Sequence, residues 1–440
     1  MRLSAAWESP ATWPRRWLAG VFAVSAIYAG AVALVSSDPV HRLWGDMAAC
    51  GYGVALIAVL AFWGLPEKYP ERARWGADLA LVAALVGALI VPLVTMAERG
   101  LHQPEVYVVT RSASMMIHQG SPYTSASALA STTDPNAYNP YLPVMALFGL
   151  PRMLSGGGAL ADPRIWFGLA FLAIFGWALR VGQARDAWRW TVLAVASPVI
   201  ALELAVGGTD VPMVACLCLG FGLLMTAHDE AASPRRIMLA GVALGVAAGM
   251  KATAWPGLAV AIVLLGTRDG WRVAARFAVT AVAVAAICIG PFLMHPKALV
   301  VNTIEFPLGL ASIKSAAASP LPGHLIAGLG HAGHTIVVVL LVLAAVAVAV
   351  TLVTRPPKTV PRAAFLLAWA MTLMFVLAPS TRFGYFIYPG TLALWLLAIK
   401  AGRSAARPDV SQLANIVQGL SVYSWVRAVT TAGISQGRCR

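Results

Sequence analysis

Charged residues are scarce in this sequence. Only 11% of its 440 residues are Asp, Glu, Lys or Arg, about half the fraction that is typical of soluble domains. Hydrophobic residues make up 59% of the chain, and the mean hydropathy is +0.75. Apolar runs of about 17–25 residues recur along the whole length, as in helical proteins that cross a membrane several times. The composition therefore excludes an ordinary soluble domain and predicts an all-α, multi-pass protein of the cell membrane.

Acidic residues and cysteines are rarer still. The chain has 18 Asp and Glu against 32 Lys and Arg, which gives a net charge of +14. In a soluble protein such a charge would suggest nucleic acid as a partner, but here the basic clusters are typical of cytoplasmic loops. Of the five cysteines, Cys216 and Cys218 lie on one predicted helix, point in different directions and lack companion ligands. We therefore predict no nucleic-acid partner and no metal site.

The predicted topology has thirteen apolar segments, of which twelve cross the membrane. The segment 142–154 is short and is interrupted by Pro143 and Pro151. If it crossed, the basic cluster at 180–189 would lie outside, against the positive-inside rule. We therefore predict that it is re-entrant, which irregular backbone allows where it lines a protein cavity.

Three regions follow from this topology. Residues 1–97 form the N-terminal spans, and residues 98–400 form a membrane domain with long outer loops at 98–140 and 295–333. Residues 401–440 are predicted to be a basic, poorly ordered cytoplasmic tail.

The loop 98–140 is the longest polar interval before residue 290. Within it, Val106 to Gln119 is predicted to be an amphipathic helix on the membrane surface that ends at Gly120. Its predicted apolar members are Val106, Val109, Met116 and Ile117. Its neighbourhood holds a carboxylate, an arginine and several tyrosines in an otherwise apolar chain. We expect any chemistry of this protein to involve this loop.

Two outer carboxylates are candidates for catalysis. Glu105 is either a first-turn acid that offsets the helix dipole or a general base at the membrane surface. Asp210, in the motif Gly-Gly-Thr-Asp-Val-Pro, is either a helix N-cap or a group that positions a sugar or a metal. Glu203 and Glu305 are counted with the outer acids without a role. The other outer acids are expected to be solvated or to occupy caps, turns and helix ends, namely Asp38, Asp46, Glu98, Asp134 and Asp162.

Three outer cations need an explanation, namely Lys251, Arg382 and Arg111. Cations between apolar spans are costly and usually have an anionic partner. A lipid phosphate would serve, and arginine suits bidentate contact with phosphate. The alternatives are snorkelling for Lys251 and a structural pair with a carboxylate for Arg382.

Other polar and aromatic residues leave two interpretations open. His324, in the second outer loop, is either incidental or contributes to substrate binding or catalysis. The aromatic residues Tyr107, Trp255, Tyr385 and Tyr388 either belong to the interfacial belt or stack on sugar rings.

Several short motifs occur in a fixed order between about residues 98 and 400. They are Val106-Tyr107, Ser112-Ala113-Ser114, Gly120, Pro122-Tyr123, Asn139-Pro140-Tyr141-Leu142-Pro143, Leu150-Pro151, Gly207-Gly208-Thr209-Asp210, Lys251 to Pro256, and Asn302 to Gly309. In this order they resemble glycosyltransferase family 87, whose members are membrane enzymes of the GT-C type that use polyprenyl-phosphate sugars. In that family the catalytic acid usually precedes the Val-Tyr valine by three residues. Here that position holds Gln103, which cannot act as a base.

The resemblance implies a GT-C-like bundle of about 12 transmembrane helices, with long extracytoplasmic loops that carry short surface helices. It implies inverting transfer of a sugar, expected to be mannose, from a polyprenyl-phosphate donor to a lipid-linked or cell-envelope glycan acceptor. The active site would lie on the extracytoplasmic side, among membrane lipids and without a metal or cofactor.

The same resemblance guides the assignment of roles. Glu105 is expected to replace the missing base, with Asp210 as the second candidate. Lys251 and Arg382, with Arg111 as a third, would bind the donor phosphate, and His324 would assist catalysis. The expected substrate-binding residues are Gln103, Tyr107, Tyr141, Asn302 and Tyr385. A lipid or sugar transporter and a catalytically inactive scaffold are the alternatives, and Gln103 favours the second of these.

Overall fold

The structure is a computed structural model that describes residues 15–62, 70–225, 233–313 and 317–404. These ranges contain 19 α-helices and, in place of a sheet, one isolated bridge between Ala318 and Thr381. The predicted tail falls outside the described residues from 405 onward.

The first half of the chain contains ten of these helices. They are α1 (Arg15–Val35), α2 (Pro39–Ala61), α3 (Pro70–Leu85), α4 (Val91–Glu98), α5 (Pro104–Gln119), α6 (Ala126–Ala130), α7 (Leu150–Ser155), α8 (Pro163–Val181), α9 (Ala187–Val195) and α10 (Pro198–Val206). A π-helical turn, Val86–Ile90, joins α3 and α4 into one apolar span.

The second half contains nine more. They are α11 (Val211–Leu223), α12 (Pro234–Met250), α13 (Trp255–Arg268), α14 (Trp271–Ile289), α15 (Pro296–Val300), α16 (Pro322–Ala327), α17 (His331–Thr354), α18 (Val360–Leu377) and α19 (Ile387–Ser404). The short helices α5, α6, α15 and α16 lie in the two predicted outer loops, as expected of loops that carry surface helices.

Within the described ranges, eight helices are long and apolar enough to cross a membrane, or nine if α9 and α10, bent by 60°, form one span. The fold is therefore the predicted all-α, multi-pass membrane architecture, but by this criterion the count falls short of the predicted twelve. The count is lower than predicted because some apolar helices are too short to meet the length criterion. The apolar helices α11 and α13 have only 13 and 14 residues, and every residue of α11 is buried among other helices.

The segment 142–154 contains no helix long enough to cross. A 3-10 helix, Pro143–Gly149, runs directly into the six-residue α7. The backbone N–H of Leu142 donates to the carbonyl of Met250 at 2.9 Å. The irregular segment thus packs against the body of the protein, in agreement with the prediction that it makes no ordinary crossing.

The helix predicted from Val106 to Gln119 is confirmed as α5, which begins two residues earlier, at Pro104. Gln103 is its N-cap, and Gly120 ends it with a φ of +70°, a left-handed conformation that glycine adopts without strain. Val106 and Val109 are buried as expected, but Ile117, predicted to share the apolar face, is 50% exposed.

A buried arginine fixes the entry to this helix. Arg164, at the start of α8, is fully buried. It donates to both carboxylate oxygens of Asp162 and to the carbonyls of Leu101 and Ala205, at 2.6 to 3.0 Å. Burial opposes ionisation of Asp162, but the bonds from Arg164 outweigh it and hold the pKa of that carboxyl below its usual value. Asp162 also caps α8, as predicted.

Candidate active site

Four stretches of chain that are distant in sequence meet around one cavity of about 290 Å³. They are the start of α5, the turn between α10 and α11, the bend after α12, and the segment that precedes α19. Each contributes a charged side chain to the wall, namely Glu105, Asp210, Lys251 and Arg382. The structure thus brings together both candidate carboxylates and both principal candidate cations.

Glu105 and Arg382 form the first ion pair. Glu105 lies in the first turn of α5, directly after Pro104 at the first helical position. Arg382 lies in extended backbone next to Thr381, which exchanges backbone hydrogen bonds of 3.0 and 2.9 Å with Ala317 and Ser319. The Arg382 guanidinium donates to Glu105 Oε1.

The second oxygen of Glu105 has a different environment. Oε2 is buried, and no hydrogen-bond donor reaches it from the described residues. A buried carboxylate oxygen without a partner is costly, so this atom is suited to accept a proton or a hydrogen bond from a ligand.

Asp210 and Lys251 form the second ion pair. Asp210 occupies the N-cap position of α11, but its side chain does not cap the helix. It accepts instead from Lys251 Nζ and, at 2.5 Å, from the hydroxyl of Tyr388. The Tyr388 hydroxyl also lies 2.9 Å from that of Thr253. The N-cap interpretation of Asp210 is therefore wrong, and the side chain is committed to the cavity.

Lys251 does not snorkel away from the protein. It caps α12 in extended backbone, and its Nζ lies 5.2 Å and 5.5 Å from the ring centres of Tyr141 and Tyr385, within cation–π range. Its side chain is only 11% exposed, and that of Asp210 is 8% exposed.

Both cations stay charged over the physiological pH range. Burial lowers the pKa of Lys251, but attraction to Asp210 and Tyr385 outweighs this and raises it above the ordinary lysine value. Burial likewise opposes the charge of Arg382, and Glu105 raises its pKa. Two permanent positive charges in one cavity wall are suited to an anionic ligand.

Two glycines shape the turn that carries Asp210. Gly207 has a φ of +150°, a region that side chains rarely adopt, and a Cβ there would lie 3.1 Å from Val106 Cγ2. A Cβ on Gly208 would lie 2.6 Å from the carbonyl oxygen of Glu203. The Gly-Gly pair therefore allows the turn to pack directly on α5 and α10.

Glu203 is a cavity residue to which the sequence assigned no role. It lies in the last turn of α10 and lines the cavity with the other two carboxylates. A Cβ on Gly384 would collide with its carboxyl group. The signal available in the sequence was a single glutamate in the apolar run Ala-Leu-Glu-Leu-Ala-Val, since charge inside an apolar helix is costly.

Three of the five predicted substrate-binding residues, Gln103, Tyr141 and Tyr385, also line the cavity. Tyr107 is 51% exposed and lies outside the lining, with the Arg111 guanidinium 5.6 Å from its ring centre. Arg111 itself donates to the carbonyls of Asn136 and Ala137, at 2.6 and 2.9 Å. It braces the outer loop, and its predicted role in phosphate binding has no support in this geometry.

Asn302 and His324 also lie outside the lining. Asn302 is fully buried; it accepts from the Asn139 N–H at 2.8 Å and donates to the Thr124 carbonyl at 3.1 Å. It therefore joins the two outer loops beside the cavity. His324 Nδ1 lies 2.9 Å from the Pro379 carbonyl, which makes it a contact of the segment that leads to Arg382.

In the part of the chain that the structure describes, no group of three or more His, Cys, Asp or Glu side chains is placed to hold a metal ion.

Comparison with known families gives one match. A family model described as Glycosyltransferase family 87 matches residues 139–379, more than half of the chain. The matched range includes Tyr141, Asp210 and Lys251, whereas Glu105 and Arg382 lie outside it. A comparison with curated proteins finds no match.

Solved structures similar to this chain include ArnT from Cupriavidus metallidurans in two states. The apo state has a TM-score of 0.46 and 18% identity, with 84% of this chain and 66% of that chain covered. The state bound to undecaprenyl phosphate has a TM-score of 0.47 and 16% identity, with 83% and 66% covered. This chain thus spans 66% of the length of the ArnT chains.

Proposed function

The chain belongs to glycosyltransferase family 87, a family of GT-C type, and from this premise we propose the reaction that its cavity carries out. The protein transfers a sugar, mannose by the family resemblance, from a polyprenyl-phosphate donor to a lipid-linked or cell-envelope glycan acceptor. The transfer takes place on the extracytoplasmic face of the membrane. The observation that carries this proposal is the convergence of two carboxylate–cation pairs in one cavity of about 290 Å³.

The cations support an anionic donor. Lys251 and Arg382 both line the cavity, and each can contact a phosphate oxygen. Charge develops on the leaving phosphate as the glycosidic bond breaks, so fixed cations stabilise the transition state more than the ground state. The aromatic rings of Tyr141 and Tyr385 beside Lys251 offer apolar faces for a sugar ring.

Glu105 supports a general base. Its Oε2 is buried without a partner from the described residues. Asp210 is instead held in place by Lys251 and by the Tyr388 hydroxyl, which both donate to its Oδ1. A base must have a free lone pair within reach of the acceptor hydroxyl. We therefore assign the base to Glu105 and treat Asp210 as the partner that holds Lys251 in place.

The proposed step is a single inverting displacement. The acceptor oxygen forms a bond to the anomeric carbon of the donor while its proton passes to Glu105 Oε2. The bond between the anomeric carbon and the phosphate oxygen breaks, and its electron pair stays on the phosphate. Lys251 and Arg382 neutralise the resulting phosphomonoester, and Glu105 then releases its proton to solvent.

Donor binding also frees the base in this mechanism. Without a ligand, Arg382 contacts Glu105 Oε1. A phosphate that takes over the Arg382 guanidinium releases this contact. Glu105 can then turn its carboxylate toward the acceptor hydroxyl only when the donor is in place.

The test is transfer of label by the purified protein in lipid nanodiscs. The donor is radiolabelled polyprenyl-phosphate mannose and the acceptors are envelope lipid extracts. We expect transfer by the unaltered protein and a fall of about 10²–10⁴-fold in Glu105→Gln. Glu98→Gln, which changes an exposed glutamate at the end of α4, is the matched control and should retain activity.

Two results would contradict the proposal. Movement of intact donor across the bilayer of sealed proteoliposomes, without label transfer in nanodiscs, would indicate a transporter. Full activity of Glu105→Gln would remove the assigned base while leaving transfer itself established.

A further inference from the structure

The hairpin of α1 and α2 reaches the cavity through Gln103, although this hairpin lies outside the residues matched by the family. The side-chain nitrogen of Gln103 lies 2.7 Å from His41 Nε2 and 3.5 Å from Asp38 Oδ2. Asp38 and His41 belong to the start of α2, and Gln103 is one of the residues that line the cavity wall. The hairpin thus contacts a wall residue that neighbours Glu105.

The backbone of Gln103 is fixed from several sides. Its N–H donates to the Val206 carbonyl at 2.8 Å, and its carbonyl accepts from the Val106 N–H at 3.2 Å. Its Cβ lies 3.4 Å from where a Cβ of Gly207 would be. Only the side-chain amide can therefore rotate. Its contacts with the hairpin determine whether its nitrogen or its oxygen faces the cavity.

The hairpin itself is held firmly by two buried hydrogen bonds. The Tyr52 hydroxyl donates to the Ala196 carbonyl of the membrane domain at 2.6 Å, and the Trp44 indole donates at 2.8 Å to the Ala88 carbonyl, in the π-helical turn between α3 and α4. Asp38 caps α2 by accepting from the Val40 N–H at 2.9 Å and lies 3.9 Å from His41 Nε2. His41 is therefore presented to Gln103 from a rigid position.

The contact orients the amide. An amide nitrogen only donates, so His41 Nε2 must accept, which requires a neutral imidazole with its proton on Nδ1. The nitrogen of Gln103 is then committed to the hairpin. Both side-chain hydrogen bonds of Gln103 within the described residues involve this nitrogen. Its side-chain carbonyl oxygen therefore remains available as an acceptor.

We propose that Asp38 and His41 position Gln103 so that its side-chain carbonyl accepts a hydrogen bond from a hydroxyl of the sugar bound in the cavity. Gln103 is thus a specificity-determining residue for the donor sugar, and His41 is a positioning residue that acts through it. The inference rests on the proposed function for the identity of the ligand, but the orientation of the amide can be tested without any activity.

Protonation of His41 is the means to reverse this arrangement. An imidazolium donates from Nε2, so Gln103 must turn its carbonyl toward the hairpin and its NH₂ group toward the cavity. The charged groups that act on His41 are Asp38, Arg382 and Glu105. Histidine is the side chain that most readily changes charge near neutral pH, so the acceptor in the cavity wall becomes a donor when His41 takes up a proton.

Solid-state NMR of the protein in nanodiscs, with ¹³C and ¹⁵N in histidine and glutamine, tests the orientation directly. Subtraction of the His41→Asn spectrum assigns the His41 signals, and subtraction of Gln103→Leu assigns the amide. We expect the Nδ1–H tautomer at pH 8, and a change of the Gln103 amide shifts that follows the titration of His41. Two results would overturn the inference whether or not the protein transfers sugar. One is an Nε2–H tautomer of His41 at pH 8, and the other is Gln103 amide chemical shifts that stay constant while His41 titrates.

Kinetics test the consequence. The KM for the polyprenyl-phosphate sugar should rise about 3- to 10-fold over the pH range in which the NMR titration shows His41 taking up a proton, because about one hydrogen bond is lost. In His41→Asn this KM should no longer depend on pH, and in Gln103→Leu it should be high across the whole range.

The matched control is His118→Asn, which changes an exposed histidine in the last turn of α5. It should behave like the unaltered protein. An unchanged pH dependence of KM in His41→Asn would refute the positioning role. Absence of transfer in the unaltered protein would instead refute the proposed function and leave the NMR result to decide this inference.

Discussion

The two ion pairs of the cavity differ in what surrounds them. Asp210 and Lys251 are only 8% and 11% exposed. Asp210 also accepts from the hydroxyl of Tyr388, and Lys251 lies against the rings of Tyr141 and Tyr385. Glu105 and Arg382 are 16% and 29% exposed, and Glu105 keeps one buried oxygen without a partner from the described residues. The first pair is therefore a fixed part of the wall, and the second pair is the one that a ligand can open.

This difference predicts where stability and where activity will be lost. Removing one partner of a buried pair leaves an uncompensated charge, whereas a more exposed partner regains contact with water. The substitutions below compare the two pairs, in order of decreasing effect.

The largest expected effect is on stability, at the buried pair. Lys251→Met leaves the Asp210 carboxylate buried without a cation and should lower the free energy of unfolding by about 3–5 kcal/mol. The double variant with Asp210→Asn should recover most of this loss, because no charge is then left unpaired. Thermal unfolding in detergent measures both. If Glu105→Gln destabilises the protein as much as Lys251→Met, the two pairs do not differ as described.

The next effect is on catalysis, at either cation. Arg382→Met and Lys251→Met should each lower the turnover number about 10²–10³-fold, the usual cost of removing one group that stabilises developing negative charge. Arg382→Lys should restore part of the activity, since a charge returns without the bidentate geometry. Initial rates of label transfer at saturating donor provide the measurement. Retained turnover in Arg382→Met would exclude Arg382 from the phosphate site.

A smaller effect is expected at the third carboxylate, which belongs to neither pair. In Gly384→Ala the new methyl group collides with the Glu203 carboxyl, so overpacking should cost about 1–3 kcal/mol of stability and raise the KM for the donor. Gly390→Ala is the matched control, because its Cβ would lie 3.6 Å from Val199 in ordinary contact. If the two variants have the same stability and the same KM, the Glu203 carboxyl moves aside without a loss of free energy, which would contradict this prediction.

The smallest effect is an expected absence of pH dependence. The pKa of Lys251 is raised in the folded protein, so its pair contributes fully below the unfolded lysine value of about 10.4 and is lost only as the pH rises through the folded value. The difference in unfolding temperature between the unaltered protein and the double variant Lys251→Met/Asp210→Asn, which leaves no unpaired carboxylate to titrate, should therefore stay constant from about pH 6 to about pH 9. A difference that shrinks within this range would mean that Lys251 loses its proton there.

The sequence was sufficient to predict the all-α membrane fold and the four charged residues that meet in the cavity, but not how these residues pair. Apolar periodicity and the single residue Gly120 located α5, because these signals are local. Glu105 and Arg382 are separated by 277 positions, and composition alone could not distinguish a phosphate ligand from a carboxylate partner. Arg111 is the clearest example of a contact that the sequence could not predict. Its guanidinium donates to two backbone carbonyls of the outer loop, and no local sequence signal indicated this.

Glycine and aromatic positions were also only partly predictable. The motif Gly207-Gly208-Thr209-Asp210 was recognised, but its reason, the close packing of the turn on α5 and α10, depends on tertiary contacts. Tyr385 and Tyr388 fitted a membrane belt equally well in the sequence. In the structure Tyr388 is fully buried against Asp210, which excludes the belt for that residue.

The most direct test of this account is the structure of the protein bound to a non-hydrolysable polyprenyl-phosphate sugar, determined by electron cryo-microscopy in nanodiscs. We predict phosphate oxygens within hydrogen-bond distance of both Arg382 and Lys251, with the Glu105–Arg382 contact opened and Glu105 Oε2 directed at the face of the anomeric carbon opposite the phosphate. The Asp210–Lys251 pair should stay in place. A phosphate bound away from both cations, or a Glu105–Arg382 pair that stays closed around a bound donor, would contradict the account.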